Sequence, residues 1–157
     1  MYNLVFDMDG TLTDGKYYVN EDGKITKTFH ANDIVAIRLF KEAGIRCIAI
    51  TSATKEGSAG INEMWAKKME VEFIRAKPFM KLNALQVACI DLKNTYYVGD
   101  CIDDLLVAVK CLMSFCPANA IRFVRKNVSH VLDRASGEGV LLEILGIIHE
   151  FDIEMKR

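Results

Sequence analysis

The sequence has no surplus of charge of either sign: 20 Lys+Arg stand against 21 Asp+Glu, a formal net charge of −1, with no basic or acidic block along 157 residues. A nucleic acid or a membrane surface is therefore not expected as a main partner. No apolar stretch approaches the ~20 residues that span a bilayer. Met1-Tyr2-Asn3-Leu4 lacks the basic n-region and long apolar run of a signal peptide, so a cytoplasmic location is expected. The five cysteines (Cys47, Cys89, Cys101, Cys111 and Cys116) contain no C-x-x-C pair. His30, His130 and His149 add no partner at ligand spacing, which disfavours zinc. All but Cys101 sit in apolar segments and are expected to be small core residues. No G-x-G-x-x-G follows the first apolar run, and there is no P-loop. Internal repeats and linkers are also absent.

What is present is ordinary globular material, 51% hydrophobic and 26% charged. A chain of this length buries roughly two-thirds of its unfolded surface, enough for one self-sufficient domain over 1–157. Apolar runs alternate with helical patterns. Leu4-Val5-Phe6, Ile45 to Ile50, Val71 to Ile74, Tyr96-Tyr97-Val98 and Cys111 to Phe115 read as strands. Between them, Val35 to Phe40, Thr54 to Lys68, a segment begun by Pro78, Leu105 to Val109 and Asn119 to Lys126 read as helices. A last amphipathic helix follows Gly137 and Gly139 through about His149. This alternation predicts an α/β, three-layer doubly wound (Rossmann-like) parallel sheet. One segment breaks the rhythm: Tyr17 to Val19 and Lys24 to Phe29 flank an Asp22-Gly23 turn, predicting a β-hairpin inserted after the first strand, over about 16–29.

Ligands of open α/β sheets collect at the carboxyl ends of the strands. Here those ends carry Asp7 and Asp9, Thr51, and Asp100. Asp7 and Asp9 are spaced by two, which in extended chain turns both carboxylates to one face. Neighbouring carboxylates repel, and burial worsens it, so they require a cation or a shared proton. With Asp100, Asp103 and Asp104 added, Mg2+ is the natural occupant, being hard and oxygen-seeking. A single Asp at a strand end is most simply a turn or cap residue. The whole set, with Gly10 and Gly99 letting backbone approach a ligand, argues for chemistry.

Asp7 to Gly15 reads DMDGTLTDG, which resembles the first motif of the haloacid-dehalogenase superfamily of phosphatases. The later motifs follow in order: Ile50-Thr51-Ser52, Lys77 at a helix start, and Gly99-Asp100-Cys101-Ile102-Asp103-Asp104. The hairpin, Pro117-Ala118-Asn119-Ala120 and Gly137-Glu138-Gly139-Val140 are similar to the cap-less branch typified by 3-deoxy-octulosonate 8-phosphate phosphatase, and the likeness runs from Asn3 to about Glu150. The resemblance implies a single such domain with no cap and an aspartyl-phosphate mechanism. Asp7 would attack phosphorus. Asp9 would act as general acid and base, and Thr51 would bind a phosphoryl oxygen. Lys77 would neutralise developing charge. Mg2+ would sit between Asp7, the Asp9 carbonyl and Asp100, with Asp104 supporting. Lys81 begins the same helix and is the alternative lysine; Lys77 is preferred because it lies 23 residues before Asp100 and precedes Pro78. Ser52 is the alternative to Thr51, which is closer to the strand end.

By the same resemblance the substrate is a small phosphorylated metabolite. Octulosonate 8-phosphate or nonulosonate 9-phosphate types are expected, with a neutral sugar phosphate as the alternative. The assembly is expected to be a homotetramer through the hairpin. Cys101 departs from the branch pattern, and Glu138 and Leu142 stand where arginines are often found, which touches substrate recognition; Lys16 or Arg134 would then supply charge. Two readings compete: a receiver domain, disfavoured because the acidic pair opens the chain, and an assembly module of the same fold with little turnover.

Overall fold

A computed structural model describes residues 1–53 and 56–155. Six parallel strands form the central sheet: β1 (Asn3–Asp7), β4 (Arg46–Thr51), β5 (Glu72–Arg75), β6 (Thr95–Val98), β7 (Met113–Cys116) and β8 (His130–Val131), in the order β5-β4-β1-β6-β7-β8. A short antiparallel pair, β2 (Tyr18–Val19) and β3 (Ile25–Thr26), forms the hairpin after β1. The helices are α1 (Ala31–Glu42), α2 (Glu56–Lys68), α3 (Lys81–Val87), α4 (Ile102–Ala108), α5 (Arg122–Arg125) and α6 (Val140–Met155). The expected α/β doubly wound sheet with its inserted hairpin is what the chain forms. No helix among the described residues is long and apolar enough to cross a membrane.

β1 shows why its middle, Leu4 to Phe6, is apolar without a break. Successive side chains point to opposite faces, and both faces are covered. Leu4 and Phe6 join one core with Phe40, Tyr96, Phe115, Leu141 and Ile144. Val5 joins another with Ile48, Ile50, Leu85, Tyr97 and Val107. With β4 on one side and β6 on the other, β1 is central, and the chain turns in opposite directions from it. That reversal is the topological switch point, where ligands of such sheets bind.

Several boundaries differ from those the sequence suggests. Helix α3 starts at Lys81, so Pro78 lies in the preceding turn. There the Met80 amide donates to the Lys77 carbonyl at 2.9 Å, and Phe79 adopts φ 60°, which no helix accepts. The fourth helix reaches back to Ile102 and the first to Ala31, the latter capped by His30 Nδ1 accepting from the Asn32 amide at 3.1 Å. The expected helix from Asn119 contracts to Arg122–Arg125 because Pro117 to Ala120 forms a turn. Cys111 and Leu112 precede β7 rather than opening it, and Cys89 is exposed in the turn after α3 rather than packed in the core. Strand β8 is too short to show alternation. The expected start of α2 at Thr54 lies outside the described residues.

The first turn of α1 carries a buried carboxylate. Asp33 Oδ1 accepts the Leu141 amide at 3.0 Å, tying α1 to the start of α6, while Oδ2 is buried with no partner. Burial pushes its carboxyl up to about 7, against the opposing pull of that amide and of Arg134. The folded chain thus keeps a proton that the unfolded chain releases near pH 4, so stability falls as pH rises from about 4 to about 7 and then levels. The Asp33→Asn variant is expected to lose the Asp33 share of that decline, on the order of 4 kcal/mol. Thermal denaturation across this pH range checks it; an unchanged slope in the variant would refute the assignment.

Candidate active site

The carboxyl ends of β1, β4 and β6 surround a cleft of about 280 Å³, lined by Asp7, Asp9, Thr51, Ser52 and Asp100 among others. Asp7 is the last residue of β1 and is buried. Asp9 lies beyond the strand, in the turn Met8–Leu12, with φ −81° and ψ 119°; the near-extended backbone keeps it on the cleft beside Asp7. The next residue, Gly10, has φ 83°, and a side chain there would collide with the Asp100 carboxylate. Gly99 is similarly constrained by the Asp104 carboxylate. These two glycines let the β1 and β6 loops close on each other.

Lys81, at the start of α3, is 2% exposed and points into the carboxylates. Its Nζ lies 2.7 Å from Asp7 Oδ1, 2.6 Å from Asp104 Oδ1 and 3.8 Å from Asp103 Oδ2. Burial disfavours its charge, but Asp7 and Asp104 outweigh burial and hold the ammonium protonated, above the ordinary lysine range. Lys77, the lysine preferred from spacing, is exposed and outside this cluster. The helix begins at Lys81 rather than at Pro78, three residues later, so Lys81 is the residue its first turn turns inward. Lys81 therefore replaces Lys77 as the lysine of the site.

Asp104 accepts four hydrogen bonds. Lys81 and the Tyr97 hydroxyl (2.5 Å) donate to Oδ1, and the Asp100 and Cys101 amides (3.1 Å each) donate to Oδ2. Its lone pairs are occupied, so it works as a scaffold for Lys81 and the β6 loop. Asp100 differs: its Oδ1 is buried without a hydrogen-bond partner. Burial, with the charge of Asp104 added, pushes its carboxyl up to about 6. Asp7 is likewise raised well above the carboxylate range by burial, which Lys81 only partly offsets and Asp104 and Asp100 aggravate. Oxygens of Asp7, Asp100 and Asp104 lie within 4.8 Å of one another. A hard, all-oxygen donor set with an orphaned buried oxygen on Asp100 fits a divalent cation of the magnesium type.

Thr51 and Ser52 separate cleanly. Thr51 Oγ1 accepts from the Ala53 amide at 3.1 Å and from Asn62 Nδ2 at 3.2 Å, leaving its own proton to donate. The Ser52 hydroxyl donates to Asp103 Oδ2 at 2.7 Å. Two further residues reach Asp9: Lys27, through an ion pair, and Asn62, at 2.8 Å. The sequence offered a signal only for Lys27, which shares the strand face of Ile25 and Phe29 and is charged where an apolar residue is expected. Cys101 lines the cleft, whereas Glu138 is exposed and Leu142 packs against the core. Lys16 is exposed, and Arg134 is engaged by its own loop, donating to the Glu138 carbonyl at 2.8 Å.

No family model matches the chain. Among curated proteins it is 27% identical over 151 residues to the 3-deoxy-D-manno-octulosonate 8-phosphate phosphatase KdsC of Haemophilus influenzae, covering 92% of this chain and 81% of the relative. Among solved structures it is similar to a probable YrbI family phosphatase of Pseudomonas syringae, with 30% identity, TM-score 0.83, and 94% and 84% of the two chains covered. It is also similar to the cobalt-bound deoxy-D-mannose-octulosonate 8-phosphate phosphatase (YrbI) of Haemophilus influenzae, with 25% identity, TM-score 0.82, and 96% and 88% covered.

The two lysines have different consequences for stability. Removing the Lys81 ammonium leaves buried Asp7 and Asp104 facing each other unpaired, a loss expected to cost about 3–5 kcal/mol in Lys81→Met. Lys77→Met, at an exposed position, should stay within about 0.5 kcal/mol of the native chain. Parallel denaturant titrations compare them; equal effects would contradict the placement of Lys81.

Proposed function

Because the chain belongs to the YrbI family of phosphatases within the haloacid dehalogenase superfamily, we propose that it hydrolyses a small phosphomonoester through an aspartyl-phosphate formed on Asp7. The observation that carries this reading is the buried Lys81 bridging Asp7 and Asp104 at the foot of the cleft. Lys81 holds Asp7 in one orientation at the phosphorus and opposes the negative charge that accumulates there. Attack by the Asp7 carboxylate forms a P–O bond to Asp7 and breaks the bond to the leaving oxygen, splitting hydrolysis into two easier steps. Asp9 gives that oxygen a proton, then takes one from the water that cleaves the aspartyl-phosphate, a role worth about 10²–10⁴-fold. The Thr51 hydroxyl, with its acceptor positions filled, donates its proton to a phosphoryl oxygen.

Mg2+ is the proposed cofactor, held by the Asp7 and Asp100 carboxylates and the Asp9 carbonyl, with Asp104 bracing Lys81 and the loop. When bound, it supplies charge neutralisation at the phosphoryl oxygens. The relatives' names support an octulosonate 8-phosphate or nonulosonate 9-phosphate type of substrate. The acidic, exposed Glu138 and the packed Leu142 supply no cation for a sugar-acid carboxylate, which favours a neutral sugar phosphate as the second reading. We read residues 1–157 as one domain acting in the cytoplasm and assembled as a homotetramer. Support for the assembly comes from Tyr17, Tyr18 and Val19 of the hairpin, which are 55%, 46% and 61% exposed.

Release of p-nitrophenol from its phosphate ester should require Mg2+, stop on chelation and return when the ion is restored. Asp7→Asn should abolish turnover while the fold persists; near-native activity in that variant would overturn the nucleophile assignment. Specificity constants for a sugar-acid phosphate and a hexose 6-phosphate then decide the substrate class. For the assembly, light scattering is expected to give four times the 17.7 kDa chain mass, and a stable monomer at micromolar concentration would refute it.

A further inference from the structure

Asp9 is gripped at both carboxylate oxygens by side chains that the proposed chemistry leaves without a role. Lys27, just past β3, is buried, and its Nζ donates to Asp9 Oδ1, to Asn62 Oδ1 at 3.0 Å and to the Ser58 carbonyl at 3.3 Å. An ammonium has three N–H donors, so none remains for a substrate. Asn62, on α2, is fully buried. Its Nδ2 lies 2.8 Å from Asp9 Oδ2 and 3.2 Å from Thr51 Oγ1, one N–H for each. The amide has a single allowed orientation, because the flipped form would set its NH2 against the Lys27 ammonium and its oxygen against the Asp9 carboxylate.

We propose that Asn62, oriented by Lys27, is a positioning residue that fixes the proton-donating carboxylate of Asp9 and the phosphate-binding hydroxyl of Thr51 relative to each other. The inference rests on the phosphatase reading. Asp9 needs such a grip more than its neighbours do. Its side chain is a quarter exposed and it stands on a turn, whereas Asp7 is buried at a strand end. An unheld carboxylate there would rotate into water, and misplacement of a reacting group by 1 Å costs on the order of 10²-fold. The two N–H groups of one amide hold Asp9 and Thr51 together, so the acid and the phosphoryl site move as a unit. The hairpin is tied to the same helix by the stacked rings of Phe29 and Trp65, 4.4 Å apart, which keeps Lys27 against Asn62.

A group that only supports the fold would lower turnover of every ester alike. A group that positions the acid affects esters in proportion to how much their leaving oxygen needs a proton. The experiment compares p-nitrophenyl phosphate, whose phenolate leaves unaided, with phenyl phosphate, whose phenolate is about as basic as tyrosinate, near pKa 10. Native turnover of the two esters, measured first, tests the phosphatase reading by itself. Asn62→Ala is then expected to reduce kcat at least tenfold more for phenyl phosphate than for p-nitrophenyl phosphate, the same bias expected of Asp9→Asn. Should the alanine variant lose cooperative unfolding, Asn62→Asp, of the same shape, is read by the same ratio. An equal fall with both esters, or no fall with either, in a folded variant overturns the proposal.

Discussion

A buried lysine among carboxylates is the constraint on which the site depends. Lys81 is surrounded by Asp7, Asp103 and Asp104 at 2.7, 3.8 and 2.6 Å. None of these groups is stable alone in the interior, since an isolated buried charge costs several kcal/mol. Together they define the ends of three elements: β1 stops at Asp7, α3 starts at Lys81, and the β6 loop enters α4 under Asp104. The carboxylate of Asp104 satisfies the Asp100 and Cys101 amides as well as Tyr97 and Lys81, so the loop carrying Asp100 has little freedom. The same arrangement that makes the fold self-consistent therefore holds the Asp7 carboxylate in one orientation.

The position of this cluster follows from the sheet. Parallel strands all deliver their carboxyl ends to one edge, and β1, β4 and β6 are adjacent there. Residues separated by more than ninety positions in sequence, such as Asp7 and Asp100, are thereby neighbours. Gly10 and Gly99 then allow the two loops to approach until carboxylate meets backbone. Replacing either with a residue bearing Cβ places that atom inside a carboxylate, so their contribution is spatial rather than conformational alone.

The hairpin adds a second layer of control at the mouth of the cleft. Two residues per strand are too few to stand independently, and here β2 and β3 lean on the body through buried Lys27 and the Phe29–Trp65 stack. One edge thus reaches Asp9, while Tyr18 and Val19 remain outward. The insertion consequently contributes a side chain to the cleft and keeps an exposed outer face.

The sequence by itself determined the layer architecture, because continuous apolar runs such as Leu4-Val5-Phe6 and Ile48-Ala49-Ile50 can be buried only between two helical layers. It also determined the acid-rich strand ends and the family, since the DMDGTLTDG run joins two carboxylates to a glycine at a spacing few chains share. Only the tertiary structure decided which lysine belongs to the site. Lys77 and Lys81 are four apart and equivalent as local pattern, but the turn at Phe79 shifts the helix start and points Lys81 alone into the carboxylates. It likewise decided Thr51 over Ser52 as the free hydroxyl donor, because their partners, Asn62 and Asp103, come from distant segments. Asn62 was invisible for the same reason: a polar residue on a helix carries no mark of what it meets until the hairpin and the β1 turn fold against it.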